Sequence, residues 1–135
     1  MKYKINKFIL KLKRILYYFY GEKFFKELKK TRRHIGPVSF SKNGNQAYFS
    51  ASDLDGKAGG DDGALRQKIY KVDKKAKKWS SPQGVTFNDE EYNVMHPSLS
   101  ADGSMLFFTS DMPLGFGGLD LYVCYLENSK VANCS

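Results

Sequence analysis

The stretch His96-Pro97-Ser98-Leu99-Ser100-Ala101-Asp102-Gly103, followed downstream by Leu119-Asp120-Leu121-Tyr122, has a weaker copy earlier in the chain. That copy runs from Pro37-Val38-Ser39-Phe40-Ser41-Lys42-Asn43-Gly44 to Ile69-Tyr70. Ser41 and Ser100 are 59 positions apart, and so are Gly44 and Gly103. A fixed period of strand-like units is typical of repeat architectures, in which one unit cannot bury its own apolar faces. The sequence therefore predicts an all-β repeat protein and argues against a catalytic domain.

Each copy has the pattern of a small antiparallel meander. Ser-x-Asn-Gly and Ser-x-Asp-Gly are turn signals, because Asn, Asp and Gly tolerate the positive φ of tight hairpins. The segment Met105–Ser110 carries apolar residues on both faces, so this strand should be covered on both sides. The segment Ala47–Ser50 is predicted to be the equivalent strand of the first copy. About two four-stranded antiparallel sheets follow from this pattern.

The second copy resembles the WD-repeat-like β-propeller repeat of TolB-like proteins. The resemblance rests on His96–Gly103, on Phe107-Phe108-x-Ser110-Asp111 and on Gly115-Phe116-Gly117-Gly118-x-Asp120-Leu121-Tyr122. The first copy, with Gly36–Ser41, Lys68-Ile69-Tyr70 and Phe87-Asn88-x-Glu90-x-Tyr92, is similar to the propeller region of Bacteroidetes-type OmpA-family envelope proteins. The resemblance covers residues 34–130 and departs from the repeat at Lys68, which stands where the second copy has Asp120.

The resemblance implies a partial β-propeller over residues 34–135, in a non-enzymatic scaffold at the periplasm or outer membrane. Protein or cell-wall glycan partners are implied with it. A propeller ring uses roughly four to eight blades, and the second blade here is expected to be truncated, since the chain reaches Ser135 where an outer strand should form. An accessory propeller that gates access to a hydrolase or peptidase is the alternative function.

Charge divides the 135-residue chain into two parts. Residues 1–33 hold 12 Lys and Arg against 2 Glu, whereas residues 34–135 hold 10 Lys and Arg against 12 Asp and Glu. The overall charge of +8 therefore belongs to the first part. A nucleic-acid partner would require a basic patch on the folded part, so none is predicted.

The basic first part, residues 1–33, has the spacing of an amphipathic α-helix. Apolar residues recur at helical intervals from Ile5 to Phe19, with Lys and Arg on the opposite face. Residues 1–30 could then contact an anionic membrane surface, or pack on another part of a larger protein. Neither a clear secretory signal nor a cysteine for lipid attachment is visible there. The periplasmic location therefore rests on the resemblance alone.

Several acidic residues suggest chemistry, but turn geometry explains them as well. Asp53, Asp55, Asp61 and Asp62 form a Gly-rich loop that could hold a cation weakly, although the spacing fails the EF-hand pattern. No catalytic residue, cofactor or metal site is predicted. The residues assigned to structural turns are Ser100, Asp102, Gly103, Asp111, Gly117, Gly118 and Asp120. Asp120 is predicted to accept backbone N–H bonds from the loop 113–118, the rival being a hydrolase with the carboxylate pair Asp111 and Asp120.

Three further expectations concern single residues and surfaces. Cys124 and Cys134 fit neither a disulfide framework nor a metal site, and Cys124 is expected to be a small buried hydrophobic residue. His34 and His96 are taken to begin the two copies at matching places. Two blades alone would leave an apolar flank on each side, which predicts self-association. The residues named for these flanks are Phe107, Phe108, Leu121 and Val123.

Overall fold

The computed structural model describes residues 34–52, 61–113, 115–128 and 130–135. These residues form nine β-strands in two antiparallel sheets and contain no helix. The all-β prediction is therefore confirmed for this part of the chain. No helix that could cross a membrane is found within it. The amphipathic helix predicted over residues 1–33 lies outside the described residues.

The first sheet is an antiparallel meander whose fourth position is divided between two short strands. Its strands are β1 (Ile35–Phe40), β2 (Gln46–Ser52), β3 (Gln67–Lys75), β4 (Lys78–Trp79) and β5 (Gln83–Gly84). Both β4 and β5 pair with β3. Between them the backbone N–H of Ser80 donates to the carbonyl of Asp73 at 2.8 Å. The two pieces therefore act as one interrupted outer strand.

The second sheet is a complete four-stranded meander. Its strands are β6 (Val94–Leu99), β7 (Met105–Ser110), β8 (Asp120–Glu127) and β9 (Lys130–Cys134), paired in chain order. The expectation of a truncated second unit was wrong, because β9 supplies the outer strand. The backbone groups of Val123 and Ser135 extend this pairing with two hydrogen bonds of 3.0 and 2.9 Å.

A disulfide joins the last two strands of the second sheet, which corrects the expectation that neither cysteine pairs. Cys124 on β8 and Cys134 on β9 are register partners, and their sulfur atoms are bonded. The expectation was wrong because no strand was predicted over the last residues. Without β9, nothing brings Cys134 opposite Cys124. The part about burial was correct, since the side chain of Cys124 is buried in the core.

The repeat is visible as an aromatic pair that occurs in both sheets. Phe49 on β2 is the register partner of Tyr70 on β3, and Phe108 on β7 is the partner of Tyr122 on β8. In each pair the rings stack, with centroids 5.9 and 5.6 Å apart. Stacked aromatic pairs across strands stabilise a sheet beyond their buried area. The prediction that the two meanders have equivalent strands is therefore confirmed.

The first strand of each sheet carries an irregularity at the same repeat position. It lies between Ile35 and Val38 in β1 and between Met95 and Ser98 in β6. Within it His96 has a left-handed φ of 55°, which is uncommon for a residue with a side chain. Counting by the 59-residue period, Pro37 is the equivalent of His96. The proposed match between His34 and His96 was therefore wrong, because His34 corresponds to Asn93.

The two sheets share one hydrophobic core. Its buried members are Tyr48 and Ile69 from the first sheet and Val94, Leu106, Phe108 and Cys124 from the second. Strand β6 packs against β1, β2 and β3. One hydrogen bond also crosses between the sheets, from the backbone N–H of Leu99 to the Ser39 hydroxyl oxygen at 2.9 Å.

The repeat allows the faces of the two sheets to be named consistently. The first face is the one with the stacked aromatic pair, Phe49 and Tyr70 or Phe108 and Tyr122. The second face carries Tyr48 and Ile69 in the first sheet and, at the equivalent positions, Phe107 and Leu121 in the second. The first face of the second sheet thus lies against the second face of the first sheet.

The residues that were named for the two apolar flanks differ in their exposure. Phe49 and Tyr70, on the first face of the first sheet, are fully buried. Phe108 is buried between the sheets, so its assignment to an exposed flank was wrong. The second face of the second sheet is open, and Leu121 on it is 71% exposed. Self-association through this open face remains a prediction.

Candidate functional site

The two Ser-x-Asx-Gly turns are held by the same hydrogen bonds. In the second copy the hydroxyl of Ser100 donates to Asp102 Oδ1 at 2.6 Å and accepts from the N–H of Met105 at 2.9 Å. In the first copy the hydroxyl of Ser41 donates to Asn43 Oδ1 at 2.8 Å and accepts from the N–H of Gln46 at 3.0 Å. The fourth turn residues, Gly44 and Gly103, have φ values of 67° and 76°. Glycine adopts this left-handed conformation at the least steric cost.

The difference between the turns is the charge of Asp102. Hydrogen bonds from the Ser100 hydroxyl, and then from the backbone and hydroxyl of Ser104, lower the pKa of Asp102 to about 2. Donors that bind the charged form of a carboxylate favour that form. Asp102 is therefore ionised at neutral pH, and its carboxylate oxygens accept hydrogen bonds from residues of its own turn.

Asp111 is a link between strands rather than a free acid. Its two carboxylate oxygens accept from the backbone N–H of Asn93 at 2.5 Å and from the Asn93 side-chain amide at 2.8 Å. The side-chain oxygen of Asn93 in turn accepts from the N–H of Gln67 on β3 at 2.9 Å. This chain of bonds joins the end of the second sheet to the first sheet. Asn93 was not predicted from the sequence, although Asn93 precedes β6 and Asp111 follows β7, so antiparallel pairing must bring them together.

Asp120 lies at the start of β8, against the Gly-rich loop. Its Oδ2 atom accepts the backbone N–H of Gly117 at 3.0 Å. A side-chain carbon added at Gly115 would lie 2.1 Å from the same oxygen and 2.8 Å from the Tyr122 hydroxyl. Gly115 is therefore required for the close approach of the loop to the carboxylate. Gly118 has no atom near its added carbon.

Lys68 and Asp120 occupy equivalent positions in the two sheets. Lys68 pairs with Ala51, and Asp120 pairs with Ser110, which is the repeat equivalent of Ala51. Lys68 is buried. At this repeat position a carboxylate is therefore present in the second copy and a lysine in the first.

The acidic segment predicted as a weak cation site is only partly described. Asp53 and Asp55 lie outside the described residues. Asp62 accepts from the N–H of Ala64 at 2.9 Å and forms an ion pair with Arg66 at 2.7 Å. These hydrogen bonds lower the pKa of Asp62. Asp61 donates its backbone N–H to Glu91. The described residues contain no group of three or more His, Cys, Asp or Glu that could hold a metal ion.

The Gly-rich loop presents two apolar side chains to solvent. Phe116 is fully exposed, and Leu119 is 55% exposed. Large apolar side chains that share an exposed loop indicate a contact site more often than one alone does. The sequence predicted this loop only as a turn. Phe116, as the one aromatic residue between three glycines, was the sequence signal for an exposed apolar side chain.

No protein-family model matches the chain, and no curated protein matches it significantly.

Proposed function

We propose that the chain is a non-catalytic binding module of the cell envelope, built from propeller-type β-repeats. Its partners would be proteins or cell-wall glycans, as the resemblance to OmpA-family propellers implies. The observation that supports this proposal most directly is that the three candidate carboxylates act as hydrogen-bond acceptors within the fold. Asp102, Asp111 and Asp120 each accept a backbone N–H of a nearby loop or strand end. These hydrogen bonds hold loops and strand ends in place. This structural role supports a scaffold more than a hydrolase.

The disulfide supports the extracytoplasmic part of this proposal. Disulfides form and persist in oxidising compartments such as the periplasm, and they are rare in the cytosol. Cys124 and Cys134 are paired at the outer edge of the second sheet. A bond there fits a protein that folds after export.

The loop with Phe116 and Leu119 is the proposed contact site. The hydrogen bond from Gly117 to Asp120 and the close approach at Gly115 hold this part of the loop against β8, which supports the exposed side chains on either side of Gly117. A preorganised loop loses less conformational entropy on binding than a free one. An exposed aromatic ring can stack on a sugar ring or enter a pocket of a protein.

Photo-crosslinking in the envelope would test the proposal. The full chain, fused to an export signal, would carry a photoreactive amino acid in place of Phe116. Leu65, which is 52% exposed and lies outside the loop, is the matched control position. We expect a discrete crosslinked protein, or sedimentation of the exported chain with purified peptidoglycan sacculi that Phe116→Ser reduces and Leu65→Ser does not. Equal results at positions 116 and 65 in both assays would contradict the contact site.

A further inference from the structure

The hairpin that joins β3 to β4 concentrates positive charge at one end of the first sheet. Its residues are Lys74, Lys75, Ala76, Lys77 and Lys78. Lys75, Lys77 and Lys78 are exposed, and none of the three forms an ion pair with any residue that the structure describes. Asp73, the one acidic residue of β3, is paired with Lys71 at 3.4 Å. The charge of the hairpin tip is therefore left for a partner.

The neighbouring turn adds a further lysine at the same end of the sheet. Lys74 donates its backbone N–H to the carbonyl of Asn45 at 2.7 Å, which places the turn 41–45 beside the hairpin. Lys42 in that turn is exposed, and the side chain that follows it, Asn43, carries no charge. Lys42 therefore extends the basic surface of the hairpin.

The second sheet builds the same hairpin without this charge. The segments 74–79 and 126–131 are equivalent at a spacing of 52 positions, as their register pairs show. The first turn residue is left-handed in both, with a φ of 54° at Ala76 and 49° at Asn128. The first segment holds four lysines, whereas the second holds one lysine and one glutamate. The fold of this hairpin therefore does not require the lysines.

Two of the lysines directly oppose each other across the hairpin. Lys75 and Lys78 are register partners, and the equivalent pair in the second sheet is Glu127 and Lys130. Opposite charges on facing positions stabilise an antiparallel pair of strands, and like charges destabilise it. The first sheet thus keeps a repulsive pair where the same hairpin supports an attractive one. An anion bound at the tip would offset this repulsion.

The base of the hairpin is held in place by several contacts. Lys74 and Trp79 are register partners, and the Lys74 Nζ atom lies 5.9 Å from the centroid of the Trp79 ring. The same ring packs against Phe40, with centroids 6.1 Å apart. The backbone N–H of Asp73 donates to the Ser80 hydroxyl at 3.0 Å. An ordered base lowers the entropy that the lysines lose on binding.

We propose that this basic hairpin binds the phosphate groups of an anionic membrane surface. Arginine is the residue that holds a single phosphate in a fixed bidentate geometry, whereas lysine is a compact, strongly hydrated charge on a flexible stem. Exposed lysines on one tip therefore suit a surface of many phosphates better than one bound ligand. Each lysine close to an anionic bilayer strengthens binding about fivefold.

Charge substitutions in the full chain would test this proposal. Co-sedimentation would measure binding to phosphatidylcholine vesicles with and without phosphatidylglycerol. Lys75→Glu copies the Glu–Lys pair of the second sheet. We expect it to raise the apparent Kd for the phosphatidylglycerol vesicles about fivefold or more. We also expect a higher melting temperature, because the repulsion across the pair is removed. Lys78→Glu should have both effects as well.

Lys130→Glu is the matched control, since it makes the same change in net charge at the position equivalent to Lys78. It should leave vesicle binding nearly unchanged and lower the melting temperature, because it creates a like-charged pair. Every variant keeps residues 1–33, so their contribution to binding is constant. Unchanged binding by Lys75→Glu, or an equal loss of binding by Lys130→Glu, would overturn the proposal.

Three further results would identify a different ligand and also overturn it. The first is equally tight binding to phosphatidylcholine alone. The second is release from the vesicles by inorganic phosphate but not by sodium chloride at the same ionic strength, which would make free phosphate the ligand. The third is tighter binding to duplex DNA than to the vesicles. Phe116→Ser should not change vesicle binding, so these results are independent of the test of the Phe116 loop.

Discussion

Loss of the disulfide should destabilise the whole described fold, and the expected size follows from the loop that it closes. Cys124 and Cys134 are separated by 10 positions in the sequence. Closing a loop of this length raises the free energy of the unfolded chain by about 2.7 kcal/mol in the chain-entropy model, and so stabilises the folded state by that amount. For a domain of roughly 100 residues this corresponds to a loss of about 10 °C or more in melting temperature.

Cys134→Ser is the better variant for this test. Cys124 is buried, so its replacement would also change the packing of the core, whereas Cys134 is exposed. Urea unfolding of the parent chain should be measured with and without reductant. We expect reduction to lower the free energy of unfolding of the parent and to leave that of Cys134→Ser unchanged.

A local effect would give a different pattern. The backbone N–H of Val123 donates to the carbonyl of Ser135, so hydrogen exchange at Val123 reports on whether the last residues stay paired. If reduction speeds exchange at Val123 but leaves the urea midpoint unchanged, the strand β9 detaches alone. The stated magnitude would then be refuted, because the fold would not depend on the loop closure.

Three further predictions use single substitutions. Asp120→Asn should weaken the hydrogen bond from Gly117, lower the free energy of unfolding by about 1 kcal/mol and lower the melting temperature. Unchanged melting curves would contradict the structural role of this carboxylate. Phe108→Ala should cost about 3–5 kcal/mol, because a buried ring that stacks on two others is removed, and chemical denaturation measures the loss. Asp102 has a folded pKa of about 2, below its ordinary value of 3.8. The stability that its charged form adds to the folded state is therefore fully present above pH 3.8 and is lost as the pH falls towards 2. The melting temperature of the parent should therefore approach that of Asp102→Asn between pH 4 and 2, and a constant difference would contradict this.

The repeat made much of the fold predictable from the sequence. Ser41 and Ser100 marked the turns, and the period placed β2 and β7 at equivalent positions, because local turn chemistry and strand alternation are both read from short segments. The equivalence of Lys68 and Asp120, which are 52 positions apart, followed from aligning Lys68-Ile69-Tyr70 with Asp120-Leu121-Tyr122. These features depend on residues that are close together in the chain.

What the sequence did not show depends on which distant segments meet. The disulfide required β9 to lie beside β8, and the bond between Asn93 and Asp111 required the ends of β6 and β7 to meet. The burial of Phe108 against the first sheet also follows from packing rather than from strand alternation, which places apolar residues on both faces of β7. The exposure of Phe116 was not predicted, because turn geometry alone accounted for the glycine-rich loop.

The turn at Ser41 has a consequence for chemical ageing. Asn-Gly sequences deamidate when the glycine nitrogen attacks the asparagine side chain, and asparagine is among the thermolabile residues. In this turn the N–H of Gly44 is held by the carbonyl of Ser41 at 2.8 Å, and the Asn43 oxygen accepts two hydrogen bonds. Folding should therefore slow the reaction. An aspartate formed there would reproduce the bonds that Asp102 already makes, whereas an isoaspartate would lengthen the backbone and break the turn.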